Sequence, residues 1–425
     1  MKRNNDRSGS EIAYILPGAH GFHGGSGNAT KRIPRGERIT PDAVERRWQA
    51  LATSAEASAA LLENQGTEYM QEYERNIENY IGTVKLPVGV VGPLRVNGLF
   101  AQGDYHIPLA TTEATLVASY SRGAKLVTEA GGCTAMLLNE GVSRAPGFAF
   151  RNLREVREFV IWVTSQRTIL EQTGASTTRH GKMTELRATI EGNHVYLNFE
   201  FATGDACGQN MVTIATEAIC EHIAKHSPVQ PQYFFLEANH SGDKKASAQS
   251  FLGVRGKRVT AEVTVPTELL QTRLHTNPER MVDYWRMAAL GGVLSGTIGT
   301  QGHYANGLAA LYIACGQDAA CVAESAVGIT RLELAPNNAL YAAVTLPNIM
   351  VGTVGGGTHL PSQRACLEIL GLAGPGKCQA FAEVCGALML AGELSIIAAL
   401  CSGDFARAHQ HLARGTNMTL VRCDD

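Results

Sequence analysis

The sequence predicts an α+β fold, in which a small unit of paired strands and flanking helices is inserted into a larger, mainly helical one. Three observations carry this expectation. Residues 147 to 235 contain NLREVREFVIWVTSQRTILEQT, whose apolar spacing is that of an amphipathic helix, and then ELRATIEGNHVYLNFEFATG, two alternating runs about Glu191-Gly192-Asn193. Beyond residue 246 the chain turns to long small-residue helical stretches and β-branched runs such as ALYAAVTLPNIMVGTV. No GxGxxG follows a strand and opens a helix, so a Rossmann unit is not expected. VGGGT, residues 354 to 358, is rich in glycine but lacks that spacing and reads as a tight turn.

Taken in order, residues 1 to 38 are rich in Gly, Asn, Arg and Ser, cannot bury much, and are expected to be disordered. Residues 39 to 85 form an N-terminal helical region, with Thr40 as N-cap, Pro41 following and Asp42 in the first turn. The larger unit is assigned residues 86 to 146 and 236 to 425. It opens with PVGVVGPLRV, a short strand and turn broken by Gly and Pro. Within the small unit, residues 147 to 235, DACGQNMVTIATEAICEHIAKH begins a further helix. Residues 384 to 403 are about as long as a bilayer-spanning helix, but Glu393 falls in the middle and small residues abound, so a buried core helix is expected. The segment from residue 374 onward is helical and carries His409.

Composition excludes several classes. With 37 basic and 39 acidic side chains the net charge is -2, so neither nucleic acid nor an anionic membrane is indicated as partner. The 10 cysteines are scattered, with no CxxC pair and no preceding apolar signal segment. They read as reduced thiols of a cytoplasmic protein, with no metal site expected.

IACGQDAACVAES, residues 313 to 325, places Asp318 among small apolar residues. It is either a satisfied core aspartate or a carboxylate beside other ionisable groups, where its protonation state matters. Three other stretches present ionisable groups: PLATTEATLVASYSRG with Glu113, SGDKK with Asp243, Lys244 and Lys245, and DFARAHQHLAR with His409 and His411. Alone, Lys244 could be a solvated lysine in a charged turn, and either histidine a helix-end side chain.

Together with ENYIGTVKLPVGVVGPL, DACGQNM and LPNIMVGTVGGGTHLP, these stretches resemble 3-hydroxy-3-methylglutaryl-CoA reductases over roughly residues 45 to 412. TTRHGK, residues 177 to 182, is similar to the NADPH-using branch. The resemblance implies that the small unit is a ferredoxin-like nucleotide-binding domain, that the C-terminal segment is a flap over the thioester, and that the membrane anchor of the animal enzymes is lacking. It further implies a homodimer or higher oligomer with sites shared between subunits, ENYIG lying at the interface.

Reduction of a thioester to an alcohol consumes two hydrides from NADPH and releases coenzyme A. It needs a cation at the carbonyl oxygen, a proton for the thiolate and a proton for the final alkoxide. The resemblance assigns Lys244 to the first, His409 to the second and Glu113 to the third, with Asp318 linking Lys244 and Glu113. Thr178 and Arg179 would meet the ribose 2′-phosphate, and Asp205, Ala206, Gly208, Gln209 and Asn210 the dinucleotide. Asp243, Lys245, Arg286, Asn306, Met136 and Glu237 are the candidates for the substrate side. There the chain departs from its animal and archaeal relatives. Glu237 stands where Ser is usual, Met136 where Arg is usual, and Arg286-Met287 near a usual Lys. A carboxylate-bearing acyl group facing Glu237 would be repelled. The alternative activity is therefore reduction of a different acyl thioester; a silent acyl-CoA-binding homologue is a third possibility, against which the intact Glu113, Lys244, Asp318 and His409 speak.

Overall fold

The computed structural model describes residues 33–34, 39–51, 54–62 and 70–403. The expected disorder before residue 39 lies almost wholly outside these residues, as does His409. Two compact units divide at Thr83/Val84.

In the first unit, α1 (Pro41–Leu51) and α2 (Ala55–Leu61) lead to a short 3₁₀ turn at Met70–Tyr73. The Thr40 hydroxyl accepts the Ala43 N–H at 3.3 Å, the cap that the sequence predicts. Ile39, Val44 and Tyr80 make a small core with Trp48, Leu62, Met70 and Tyr73 beside it.

The second unit begins with β1 (Val88–Gly98), β2 (Gln102–Ala110), α3 (Leu116–Glu129) and β3 (Cys133–Arg144). Next come β4 (Gly147–Ala149), α4 (Leu153–Ser165), α5 (Arg167–Ala175), β5 (Lys182–Glu191), β6 (His194–Ala202), α6 (Gln209–His226) and β7 (Tyr233–Phe235). This βαββαβ succession lies in the strand order β7-β4-β6-β5, antiparallel throughout, which is the ferredoxin-like arrangement. Val195, Leu197, Phe199 and Phe201 alternate toward one face of β6 and are buried there. The amphipathic stretch read as a single helix is two. Thr164 and Ser165 hydroxyls donate to the carbonyls of Val160 (2.8 Å) and Trp162 (2.6 Å), competing with the helical ladder just before the break at Gln166.

After the small unit, the chain continues through α7 (Gln249–Leu252), β8 (Gly256–Val265), α8 (Thr267–Leu274), α9 (Pro278–Ser295), β9 (Gly299–Thr300) and α10 (Tyr304–Ala314). It closes with α11 (Val322–Ser325), β10 (Gly328–Leu334), β11 (Leu340–Ile349), α12 (Pro361–Ile369) and α13 (Cys378–Ser402). The larger unit therefore carries a mixed sheet in the order β2-β1-β3-β8-β11-β10-β9 beside its helices.

Helix α13 is long and apolar enough to cross a membrane, yet it is buried in the protein along nearly its whole length. It packs on α3 so closely that a Cβ at Gly123 would meet the Ala391 carbonyl oxygen at 1.9 Å. Its two acids explain why an apolar helix carries charge. Glu383 accepts the N–H groups of Phe100, Ala101 and Leu137 at 2.8–3.0 Å. Glu393 accepts those of Gly302 and His303 at 2.7 and 2.9 Å and the Thr330 hydroxyl at 2.7 Å. Each carboxylate thus ties backbone turns to the core, where an unmade bond would cost about 1–3 kcal/mol.

Candidate active site

The loop from residue 236 to 248, between β7 and α7, carries Lys244. Three of its residues, Asn239, Gly242 and Lys244, have positive φ, and that of Lys244 is 55°. A non-glycine residue pays roughly 1–2 kcal/mol for that conformation, so something must hold it. Glu237 organises the first half: its carboxylate accepts from the Asn239 N–H (2.8 Å), the Ser241 hydroxyl (3.0 Å) and Arg144 (3.4 Å). Asp243 organises the second, accepting from Arg144 Nη1 at 2.8 Å and from Arg255 Nη2. Burial works to raise the Asp243 carboxyl, but Arg255 and Arg144 outweigh it and hold the group below the usual aspartate range.

Lys244 Nζ meets Asp318 Oδ2 at 2.8 Å. That hydrogen bond raises the lysine above its ordinary value, so the ammonium form is the one present at neutral pH. Asp318 also accepts the Ala320 N–H at 3.0 Å and caps the short turn Ala319–Cys321. Burial opposes its ionisation, yet Lys244 and the Ala320 N–H prevail and the carboxyl lies below its ordinary range. Glu113, in the turn between β2 and α3, is exposed and accepts from Asn306 Nδ2 at 3.4 Å. Leu86, Thr111, Leu116, Ala309 and Ile313 line an open groove around this pair. The expected link through Asp318 is not seen among the described residues: the hydrogen bonds of Asp318 go to Lys244 and its own turn, and that of Glu113 goes to Asn306.

The candidate cofactor residues gather about the start of α6. Gly208 is its N-cap, at φ 82°, and a Cβ there would meet Thr203 at 2.3 Å. Gln209 Nε2 donates to Cys321 Sγ at 3.0 Å, which ties this helix start to the turn capped by Asp318. Ala206 bridges to Val354, and the Asp205 carboxylate accepts the N–H groups of Gly376 (2.8 Å) and Cys378 (3.2 Å) at the head of α13. Asp205 is thus committed to the fold, and VGGGT, which reads as a bare turn in the sequence, lies against the DACG segment. Asn210 is exposed on the first turn. Thr178 accepts the N–H groups of His180 (3.2 Å) and Gly181 (3.1 Å), which shapes the turn before β5, and contacts Met211 of α6. Arg179 projects from that turn, exposed, and makes no hydrogen bond or ion pair among the described residues. An unpaired guanidinium, on a turn whose Thr178 touches the first turn of α6, suits a phosphate-bearing dinucleotide.

On the substrate side, Lys245 Nζ donates to the Asp243 carbonyl at 2.9 Å. Arg286 pairs with Asp283 at 3.2 Å on an exposed face of α9, and Met136 is partly exposed on β3. Glu237, expected to repel a carboxylate-bearing acyl group, has its oxygens occupied by the loop's own donors, with Arg144 beside them. The sequence does not single out Arg144, Arg255 or Glu324. Arg255 donates to Glu324 Oε2 (2.8 Å), the Ser143 carbonyl (2.6 Å) and Asp243 while almost wholly buried. Arg144 joins Asp243 to Thr213 of α6, at 2.9 Å. Glu324 is an acid in the same apolar run as Asp318, the one signal that could have found it; nothing marks the two arginines.

The family model described as hydroxymethylglutaryl-coenzyme A reductase matches residues 43–414. A Pyrococcus horikoshii protein named 3-hydroxy-3-methylglutaryl-coenzyme A reductase is 45% identical over 348 residues, 80% of this chain and 84% of the relative. A Methanothermobacter thermautotrophicus protein of the same name is 40% identical over 383 residues, 89% of this chain and 96% of the relative. Among solved structures, a class II 3-hydroxy-3-methylglutaryl-CoA reductase from Streptococcus pneumoniae bound to NADPH superposes with a TM-score of 0.64 at 21% identity, covering 86% of this chain and 98% of that one. This last likeness is one of fold. With a family match across most of its length and relatives well above 30% identity, the chain belongs to the hydroxymethylglutaryl-coenzyme A reductase family.

Proposed function

We propose that this chain catalyses the NADPH-dependent reduction of 3-hydroxy-3-methylglutaryl-CoA to mevalonate and coenzyme A. The observation that carries the reading is the 2.8 Å Lys244–Asp318 ion pair, joined through Cys321 and Gln209 to the start of α6. Bound NADPH supplies the hydrides, two per turnover. The chain's own residues do the rest. Lys244 places positive charge where the carbonyl oxygen becomes an oxyanion, in both reductive steps. Asp318 keeps Lys244 protonated and aimed. Glu113 delivers the proton to the final alkoxide, and His409 the proton to the departing thiolate. Arg179 and Thr178 bind the 2′-phosphate, and Gly208, Gln209 and Asn210 receive the dinucleotide. Lys245, Asn306 and Arg286 remain the polar candidates for the acyl and CoA side.

The active form is a homodimer or larger oligomer, with sites completed between copies. Two features support this. Among the described residues Glu113 makes no hydrogen bond to the Lys244–Asp318 pair within one chain. Helix α9 exposes Met287, Leu290, Val293 and Leu294, each at 68–88%, an apolar stripe of the kind that marks an interface. The described thiols are free, which suits the cytoplasm. The direct test is NADPH consumption with this thioester, with released coenzyme A and mevalonate measured in parallel. Two NADPH per coenzyme A are expected; no consumption, or thiol release without alcohol, would defeat the reading. Sedimentation of the active protein as a monomer would defeat the oligomer.

A further inference from the structure

The run that supplies Asp318 supplies a second carboxylate to the same lysine. Glu324, on α11, is fully buried. Its Oε2 accepts from Arg255 Nε at 2.8 Å and its Oε1 from the backbone N–H of Lys244 at 3.3 Å. One short segment therefore holds Lys244 at both ends, Asp318 on the ammonium and Glu324 on the main chain. We propose that Glu324 is a positioning residue, which pins the Lys244 backbone in its left-handed conformation so that the ammonium stands against Asp318. This rests on the reading of Lys244 as the carbonyl-polarising cation.

The physical case is one of paired demands. Lys244 at φ 55° has no Gly-like freedom, so its N–H needs a fixed acceptor. A buried carboxylate needs a cation, and Arg255 supplies it. Glu324 meets the first demand because Arg255 meets the second. These donors meet different oxygens, and a glutamine turns one of those oxygens into an NH2 donor, so it cannot meet both Arg255 Nε and the Lys244 N–H where they stand. The charged guanidinium takes it, since hydrogen bonds to ions are the stronger. The Lys244 backbone is then released.

The groups that act on the Lys244 ammonium are Asp318 and Cys321 from the capped turn and Asp243 on its own loop, while Glu324 and Arg255 stand behind its main chain. A displaced Lys244 loses the Asp318 bond, which is the leading cause of its raised value, so it should titrate at lower pH. The experiment uses the full chain carrying carbon-13-labelled lysine, with Lys244→Arg identifying the resonance. In Glu324→Gln, the Lys244 signal should titrate at lower pH than in the native protein. Turnover should fall on the order of 10²-fold, as expected for a misplaced catalytic group, with the NADPH KM unchanged. An unmoved Lys244 titration overturns the proposal even if activity is lost, because a merely structural role would lower stability and activity without touching that value. If Glu324→Gln does not fold, Glu324→Asp keeps the charge on Arg255 but shortens the reach to Lys244, and is read the same way. Should the native chain fail to oxidise NADPH with the thioester, the reading of the activity falls, while the titration still decides the role of Glu324.

Discussion

Lys244 stands in a loop where Glu237, Asp243 and the lysine itself each face an opposite charge, whereas Arg179 stands in a turn where its charge faces none among the described residues. The first arrangement is fixed in the protein alone. Arg144, Arg255, Asp318 and Glu324 hold the loop from three sides. The second is open, shaped by Thr178 and its two N–H donors and by the contact of Thr178 with Met211. The difference matches the two tasks. A group that stabilises charge appearing during a reaction gains most when it needs no rearrangement at that moment. A group that binds an anionic ligand gains most when its charge has not already been spent on a neighbour.

The sharpest way to break this comparison is to remove a support of the closed loop. Arg255→Ala leaves Glu324 and Asp243 without a buried guanidinium, and should lower folding stability by about 3–5 kcal/mol. Denaturant unfolding reads this directly. A loss below about 1 kcal/mol would mean that the cluster behaves like a surface ion pair, and the contrast with Arg179 would collapse. Next in size is Lys244→Met. It should lower turnover of both the thioester and the free aldehyde by about 10²–10³-fold, the usual cost of one oxyanion donor. Retention of either activity would show that the fixed charge is not the one the reaction uses.

On the open side, Arg179→Ala should weaken NADPH by about 1.5–3 kcal/mol and leave NADH nearly untouched, since one charged hydrogen-bonding contact is lost. The same substitution should leave stability unchanged, because Arg179 is exposed and makes no hydrogen bond or ion pair among the described residues. Equal losses with both cofactors would refute the 2′-phosphate assignment. A stability loss would show that the turn is less free than its exposure suggests.

The two regions also differ in how far the sequence revealed them. The hairpin about Gly192-Asn193, the helix after DACG and the core helix through Glu393 were legible because periodicity and turn chemistry are local properties. So was the candidate status of Asp318, an acid in an apolar run. The partners of Asp243 were not. Arg255 lies in VRGKR and Arg144 in VSRAP, and a basic residue in such settings reads as surface until the fold brings distant carboxylates to it. Glu237 reads as an uncompensated charge for the same reason, since Arg144 lies 93 residues away in the chain. The break at Gln166 was missed because apolar spacing continues across it, while the hydroxyl back-bonds of Thr164 and Ser165 do not alter that spacing. The exposure of Arg179 is what a polar turn ordinarily gives a basic residue, and there the local sequence is a sufficient guide.

A final prediction tests whether the contrast extends to buried acids. Asp243 is flanked by two guanidinium groups and titrates low; Glu200, on β6 in the small unit, is nearly buried and titrates high, at about 7. Burial is the main cause for Glu200, the neighbouring Glu185 adds to it, and Arg187, 3.5 Å away, offsets only part. A carboxyl whose folded value is raised binds protons more tightly folded than unfolded. Its ionisation therefore costs stability as pH rises from the ordinary glutamate range through about 7, and the cost is complete above that. Glu200→Gln removes the charge and keeps the shape. Relative to the native protein it should gain on the order of 1 kcal/mol at pH ~8, and much less at pH ~5, since each tenfold change in proton affinity corresponds to about 1.4 kcal/mol. Urea midpoints at the two pH values decide it. An equal difference at both would mean that Glu200 is ionised throughout, and that the small unit compensates its buried acids as fully as the Lys244 loop does.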